Sequence, residues 1–316
     1  SMSNDHSCRF DFLLSNDPQD PPGEAIEAIV DAVARRSPKV ALLELQDILA
    51  DSPTALALQE AAARRGQKVG MRPTLQTPYI PVEGKWSVYF ESVSGHLKRN
   101  LRRRRRQLEE QGKVSIQQWT GDALSEGDRL MDRLQEGFEI EAMAWKGSAG
   151  TAIRENKIWV EFYRQLAQTA AERGWLRLYF LRLDDRPIAF YYTLLYDRKL
   201  YYLKLGYDPT YARYSPGILL HQEILESLFR EKVVELDFLG PMMEWKREWA
   251  KGERAHVWFY LFQKGIRPRL IQWIKFGLLP YVRHLRQTAE SRWKRASKIF
   301  SAQSSPEKSS GQGRGA

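Results

Sequence analysis

Three short stretches of this 316-residue sequence combine residue types that bind anions or move protons. The first runs from Gly206-Tyr207-Asp208-Pro209 to Arg213-Tyr214-Ser215-Pro216-Gly217-Ile218-Leu219. Ser215 is a capping residue type, Pro216 suits a first helical position because its missing N–H would be orphaned there, and Gly217 lets a ligand approach the backbone. The N–H groups of Gly217, Ile218 and Leu219 would then form an anion cradle, with Arg213 adding a charge-assisted contact to a phosphate. An ordinary capped helix without a ligand reads the same way. His221 lies one turn beyond Gly217 on the same face. Facing a reacting centre it would be a general base near neutral pH; otherwise it is a packed histidine.

The second stretch is Asp237-Phe238-Leu239-Gly240 followed by Glu244-Trp245-Lys246 and Trp249. Lys246 could stabilise negative charge on a tetrahedral intermediate, and Asp237 or Glu244 could orient or deprotonate an amine. An Asp–Lys ion pair tying a loop to a sheet is the alternative. The third is Glu141 with Trp145-Lys146-Gly147 to Gly150-Thr151-Ala152, a loop between helices able to cover a ligand, with Trp145 as apolar wall and Lys146 as charge. Its alternative is a plain helix connection. His and Cys spacings for zinc are absent, as are a P-loop and Gly-x-Gly-x-x-Gly, so no metal is expected. The lone cysteine, Cys8, makes neither a disulfide framework nor a placed nucleophile.

Elements that must position these residues follow from periodicity. Ile26, Ile29, Val30 and Val33 recur at helical spacing, a strand spans 40–45, and Ser52-Pro53 opens a second helix ending near Gly66. The prolines and glycine of 77–84 predict a crossover between lobes. A charged helix over 94–111, anchored by Leu97, Leu101 and Leu108, precedes a strand at 114–119 and helices over 122–138 and 156–173. Strands at 176–183, 187–196 and 200–207 are separated by Asp184-Asp185 and Asp197-Arg198, which predicts an antiparallel meander. A helix from Ser215 to Phe229, a strand at 233–238 and a last strand at 256–262 complete the order.

That order, with Ser87-Val88-Tyr89-Phe90, the Trp-Lys-Gly to Gly-Thr-Ala loop, Gly-Tyr-Asp-Pro, Tyr-Ser-Pro-Gly-Ile-Leu-Leu, Asp-Phe-Leu-Gly and Glu-Trp-Lys, resembles the CelD-like (BioF2-like) acetyltransferases of the GNAT superfamily. These are related to Fem-type transferases, which take amino acids from aminoacyl-tRNA. The resemblance covers roughly residues 40–265 and implies an α/β GNAT fold with a mixed, mostly antiparallel sheet flanked by helices. It also implies a functional lysine at Lys246; acyl-CoA is the expected co-substrate, and Glu141, Trp145, Lys146 and Tyr207 are the expected substrate contacts. The meander's last strand should splay from the strand after the next helix, opening a cleft at the Ser215 helix start. The expected domains are a shortened N-terminal lobe at 1–80, the transferase at 81–265, a basic amphipathic helix at 266–300 and a disordered tail at 301–316.

Net charge is +10, from 49 Lys and Arg against 39 Asp and Glu, and favours anionic partners. Much of the excess lies in Lys98-Arg99 with Arg102 to Arg106 and in the segment from Arg267 to Lys298. Three functions compete: direct acyl transfer from acyl-CoA to a small-molecule, saccharide or lipid acceptor, transfer from tRNA bound on the arginine helix, and a catalytically silent scaffold at the membrane. The cysteine usage and the lack of an apolar run near the roughly 18 residues a bilayer span requires place the expected location in the cytoplasm, with peripheral contact to an anionic membrane face as the alternative.

Overall fold

The structure is a computed structural model describing residues 11–12, 14, 22–36, 40–121, 127–143 and 152–279. Cys8, Trp145, Lys146, the glycines beside them and the chain beyond Leu279 lie outside the described residues. The chain divides into two compact units, one containing Pro73–Val257 and the other Asp11–Arg72 with the segment from Trp258. The first division falls between Arg72 and Pro73, and the described residues from Trp258 group with Asp11–Arg72.

In the larger unit the strands are β3 (Val114–Thr120), β4 (Leu176–Leu183), β5 (Arg186–Tyr196), β6 (Lys199–Tyr207) and β7 (Glu235–Asp237), with parts of β2 (Lys68–Pro81) and β8 (Gly252–Phe262). They lie side by side as β8-β2-β7-β6-β5-β4-β3. The expected meander is present: β4 pairs β5 and β5 pairs β6, both antiparallel, with Asp184, Asp197 and Arg198 at positive φ in the turns. Asp and Asn tolerate that region best after glycine, which explains the sequence signal.

Period-two alternation buries both faces of β4. Tyr179, Leu181 and Leu183 join a cluster with Leu97, Leu101 and Leu108 of α4 (Gly95–Glu109) and with Leu220, Ile224 and Leu228 of α7 (Pro216–Arg230). Leu178 and Phe180 face the other way, against Leu134 and Phe138 of α5 (Gly127–Met143) and Tyr163, Ala167 and Ala170 of α6 (Lys157–Glu172). Each buried leucine, isoleucine and phenylalanine among them contributes about 1.5–3 kcal/mol by leaving water.

One expectation fails here. The 77–84 stretch does not cross between lobes as a loop; β2 continues to Pro81 and pairs Tyr79, Ile80 and Pro81 with Asp237, Leu236 and Glu235. Proline lacks only the donor, and Pro78 supplies its carbonyl, which accepts from the Phe238 N–H at 3.2 Å. The turn comes later, at Gly84 (φ +73°), and leads into the short helix α3 (Trp86–Glu91).

In the smaller unit, α1 (Pro22–Arg36) packs on α2 (Pro53–Arg64), whose Ser52 cap accepts from the Ala55 N–H at 3.2 Å as expected. Strands there run β1 (Leu42–Leu49), β8, β2. A helix over Ile266–Trp273, α9, widens into a π-helical turn at Ile274–Leu278.

Gly206 of β6 marks the tightest fit near the meander. A Cβ there would lie 2.5 Å from Glu141 Cα and 2.9 Å from its N, both backbone atoms of α5 that cannot swing away. Gly206→Ala should therefore lower the unfolding free energy by about 1–3 kcal/mol in denaturant melts. Gly95→Ala, near only the mobile end of Arg99 at 3.4 Å, should be neutral or mildly stabilising.

Candidate active site

The site begins where pairing stops. β6 and β7 are parallel and register only Lys199–Tyr201 against Glu235–Asp237. Beyond Tyr201 the strands part, and a cavity of about 230 Å³ opens there. Its walls are Tyr191 of β5, Leu205 and Tyr207 of β6, Ala212, the helix start Ser215, Gly217 and Ile218, and Trp245 of the short helix α8 (Glu244–Arg247).

A 3₁₀ segment, Pro209–Tyr214, runs straight into α7, so the chain reverses at Ser215, which adopts the left-handed conformation (φ 51°, ψ 57°). This corrects two expectations. The Ser215 side chain makes no capping bond. Its carbonyl instead accepts from the Ile218 and Leu219 N–H groups at 3.0 and 3.1 Å, so the three-donor cradle shrinks to the Gly217 N–H, and both Ser215 and Gly217 line the pocket. Tyr191, fully buried, donates from its hydroxyl to the Gly217 carbonyl at 3.2 Å and fixes that peptide. Leu219 is buried in the core, not in the pocket. Arg213 is exposed, donates to the Tyr214 hydroxyl, and lies 4.6 Å from that ring's centre.

The second stretch acts mainly on its own loop. Asp237 is fully buried; it accepts from the Leu239 N–H at 2.9 Å and pairs with Arg254 at 3.5 Å. Arg254 also binds Glu235 at 2.5 Å and stacks 3.8 Å from the Tyr79 ring centre. Lys246, 6% exposed, donates to the carbonyls of Leu239 at 2.7 Å and Pro241 at 3.1 Å. Glu244 is exposed at the start of α8, next to pocket residue Trp245. Glu141 is fully buried and accepts from the Ile153 N–H at 3.0 Å.

His221 is corrected as a neutral-pH base. It is fully buried among the rings of Phe238, Trp245 and Trp249, its Nδ1 is 2.9 Å from the Tyr202 hydroxyl, and it does not line the pocket. Burial lowers its pKa to about 3, so it stays neutral where it was expected to titrate.

Tyr207, Ser215, Gly217 and Ile218 thus converge on one cavity, while Asp237 and Lys246 converge on the 239–241 loop. Tyr191, Leu205, Ala212 and Trp245 were not anticipated as pocket residues; Ala212 and Trp245 stood inside stretches already marked by their neighbours, whereas Tyr191 and Leu205 did not. Among the described residues no group of His, Cys, Asp or Glu is arranged to hold a metal ion.

Residues 95–247 match the family model described as the acetyltransferase (GNAT) domain. The chain carries a GNAT domain. No curated protein matches it in sequence. Among solved structures, it is similar to the C-terminal domain of a putative lysylphosphatidylglycerol synthetase from Agrobacterium fabrum, at 13% identity and TM-score 0.52 over 79% of this chain and 75% of that one. It is also similar to FemX, at 10% identity and TM-score 0.53 over 80% and 79%. At these identities the likeness is one of fold.

Two outcomes follow from this geometry. Lys246→Met leaves two carbonyls without that donor and should cost about 1–3 kcal/mol in denaturant melts, whereas Glu244→Gln should stay within about 0.5 kcal/mol. His221 has a folded pKa near 3, below its ordinary 6.5, so between those values the unfolded chain binds a proton that the folded chain refuses. Its contribution is complete above the upper value and falls with pH below it, by up to about 1.4 kcal/mol per unit. Stability measured across that window should show this slope, and His221→Gln should lack it.

Proposed function

We propose that this GNAT-domain protein transfers an acyl group from acyl-CoA to an amine or hydroxyl acceptor by direct attack. The observation that carries the reading is the cavity in the β6–β7 parting, floored by the start of α7. Leu205, Ile218, Tyr191 and Trp245 offer an apolar wall to an acyl chain or pantetheine arm. The Gly217 N–H and Ser215 hydroxyl are donors suited to a thioester oxygen as it gains negative charge.

In this reaction the acceptor's lone pair forms the new bond to the thioester carbon, the C–S bond breaks, and the acceptor proton passes by way of a base to the departing thiolate. Glu244 is the carboxylate proposed for that base, since Asp237 is buried and already bonded. Lys246 then acts by holding the 239–241 loop. Small molecules, saccharides and lipids remain the acceptor classes.

Transfer from aminoacyl-tRNA is a second reading, favoured by the outer face of α4. Arg99, Arg102, Arg103 and Arg106 are exposed there. Among the described residues only Arg106 of the four has a carboxylate within ion-pair reach, Glu110 at 3.9 Å. Arg105 on the same helix binds Glu223 of α7 at 2.6 Å, tying the basic helix to the one that floors the pocket.

Calorimetry with acetyl-CoA, longer acyl-CoAs and tRNA separates the two. Acyl-CoA should bind, and Ile218→Trp, which fills the cavity, should weaken it at least about tenfold. Acyl-CoA binding that is absent, or unchanged in Ile218→Trp, overturns the first reading. Binding of tRNA alone, with a salt dependence that flattens when the four arginines become glutamine, establishes the second.

A further inference from the structure

The last described helix turns an apolar face to solvent. Ile266 is 87% exposed, Trp273 60% and Leu270 55%, with Ile274 and Leu278 also exposed. Their spacing places them on one side of α9 and its π-helical extension, and the Trp273 indole lies 3.6 Å from where a Cβ on Gly277 would stand, covering the same side.

The helix itself is well seated. Phe276 packs edge-on against Tyr260 and Phe262, at 5.3 and 6.1 Å between ring centres, and fills the space a side chain at Gly70 would need. Lys275 binds Glu44 at 2.9 Å, and Pro268 is buried. Among the described residues, folding of this unit uses the inner side of the helix and leaves the outer one exposed. Contiguous apolar surface of this kind marks a contact with something else.

Charge identifies the occupant. Arg267 and Arg269 are exposed on the same helix, and residues 263–300 hold ten Lys and Arg against one acidic residue, Glu290. A second copy meeting face to face would bring two such basic surfaces together, and the chain's own continuation after Leu279 is equally basic. Like charges oppose both. An anionic lipid surface is complementary, and a helix with an aromatic-bearing apolar face flanked by arginine is built to lie in a bilayer interface. No helix among the described residues is long and apolar enough to cross one.

We propose that Ile266, Leu270, Trp273, Ile274 and Leu278 dock on an anionic phospholipid bilayer, with Arg267 and Arg269 at the lipid phosphates. This rests on nothing in the transfer reading. The full chain should co-sediment with vesicles of equal phosphatidylglycerol and phosphatidylcholine at least about tenfold more strongly than with phosphatidylcholine alone. Leu270→Ser with Trp273→Ser, both outward-facing, should reduce that partition at least about tenfold while the melting curve stays unchanged. As a second readout, brominated lipid should quench the wild-type fluorescence more than that of Trp273→Phe. No binding by the full chain, equal binding by the double variant (which would assign it to the basic continuation), or a dimer that the same double variant abolishes would each overturn the proposal.

Discussion

The architecture of the site depends on one short piece of parallel pairing. Every paired strand around the meander is antiparallel, but β7 arrives from α7 running the same way as β6 and keeps register with it only over Lys199–Tyr201. It stops because the chain turns out of the sheet at once. Leu239 and Gly240 adopt positive φ, and the Asp237 carboxylate folds forward onto the Leu239 N–H. Had β7 continued beside Tyr202–Tyr207, Leu205 and Tyr207 would face another strand instead of a cavity.

Buried charge holds that turn. Asp237 and Glu235 on β7 share Arg254 of β8, which also lies on Tyr79 of β2, so one guanidinium links three strands at the point of departure. Lys246 grips the carbonyls on the far side of the turn. Burying such groups carries a desolvation cost that good hydrogen bonds must offset, and their return is a unique geometry more than raw stability. The pocket wall itself is uncharged by contrast. Burial pushes the hydroxyls of Tyr191 and Tyr202 well above the ordinary tyrosine range, so they remain neutral donors and acceptors.

What the sequence conveyed, and what it did not, follows the same division. The meander, the leucine anchors of α4 and the helix from Pro216 rest on period and on turn residues such as Asp184 and Asp197, signals that are local and were legible. The extension of β2 through Pro78 and Pro81 was not, because its partner is β7, more than 150 residues away, and only that pairing shows that these prolines need give no N–H. The pairing of Asp237 with Arg254 was equally hidden, since it depends on β2, β7 and β8 lying side by side. Ser215 misled in a different way. Its residue type suits capping, but the preceding 3₁₀ turn leaves the chain needing a left-handed residue, and that conformation turns the hydroxyl away from the helix N–H groups.

The reduced cradle constrains how a donor would sit under either functional reading. One N–H and one hydroxyl suit a carbonyl oxygen carrying partial charge; they are too few for a pyrophosphate, which carries full charges on several oxygens. Arg213 is engaged with Tyr214 and adds little. The phosphates of a donor would then be met farther out, and α4 is a basic element tied to α7 by the Arg105–Glu223 pair. Under the two proposed readings coenzyme A phosphates and a tRNA backbone would both be met on that face, so the arginine helix does not choose between them. Under the proposed transfer the cavity, with the apolar wall of Tyr191, Leu205, Ile218 and Trp245, would meet the acyl chain or pantetheine arm instead of the phosphates.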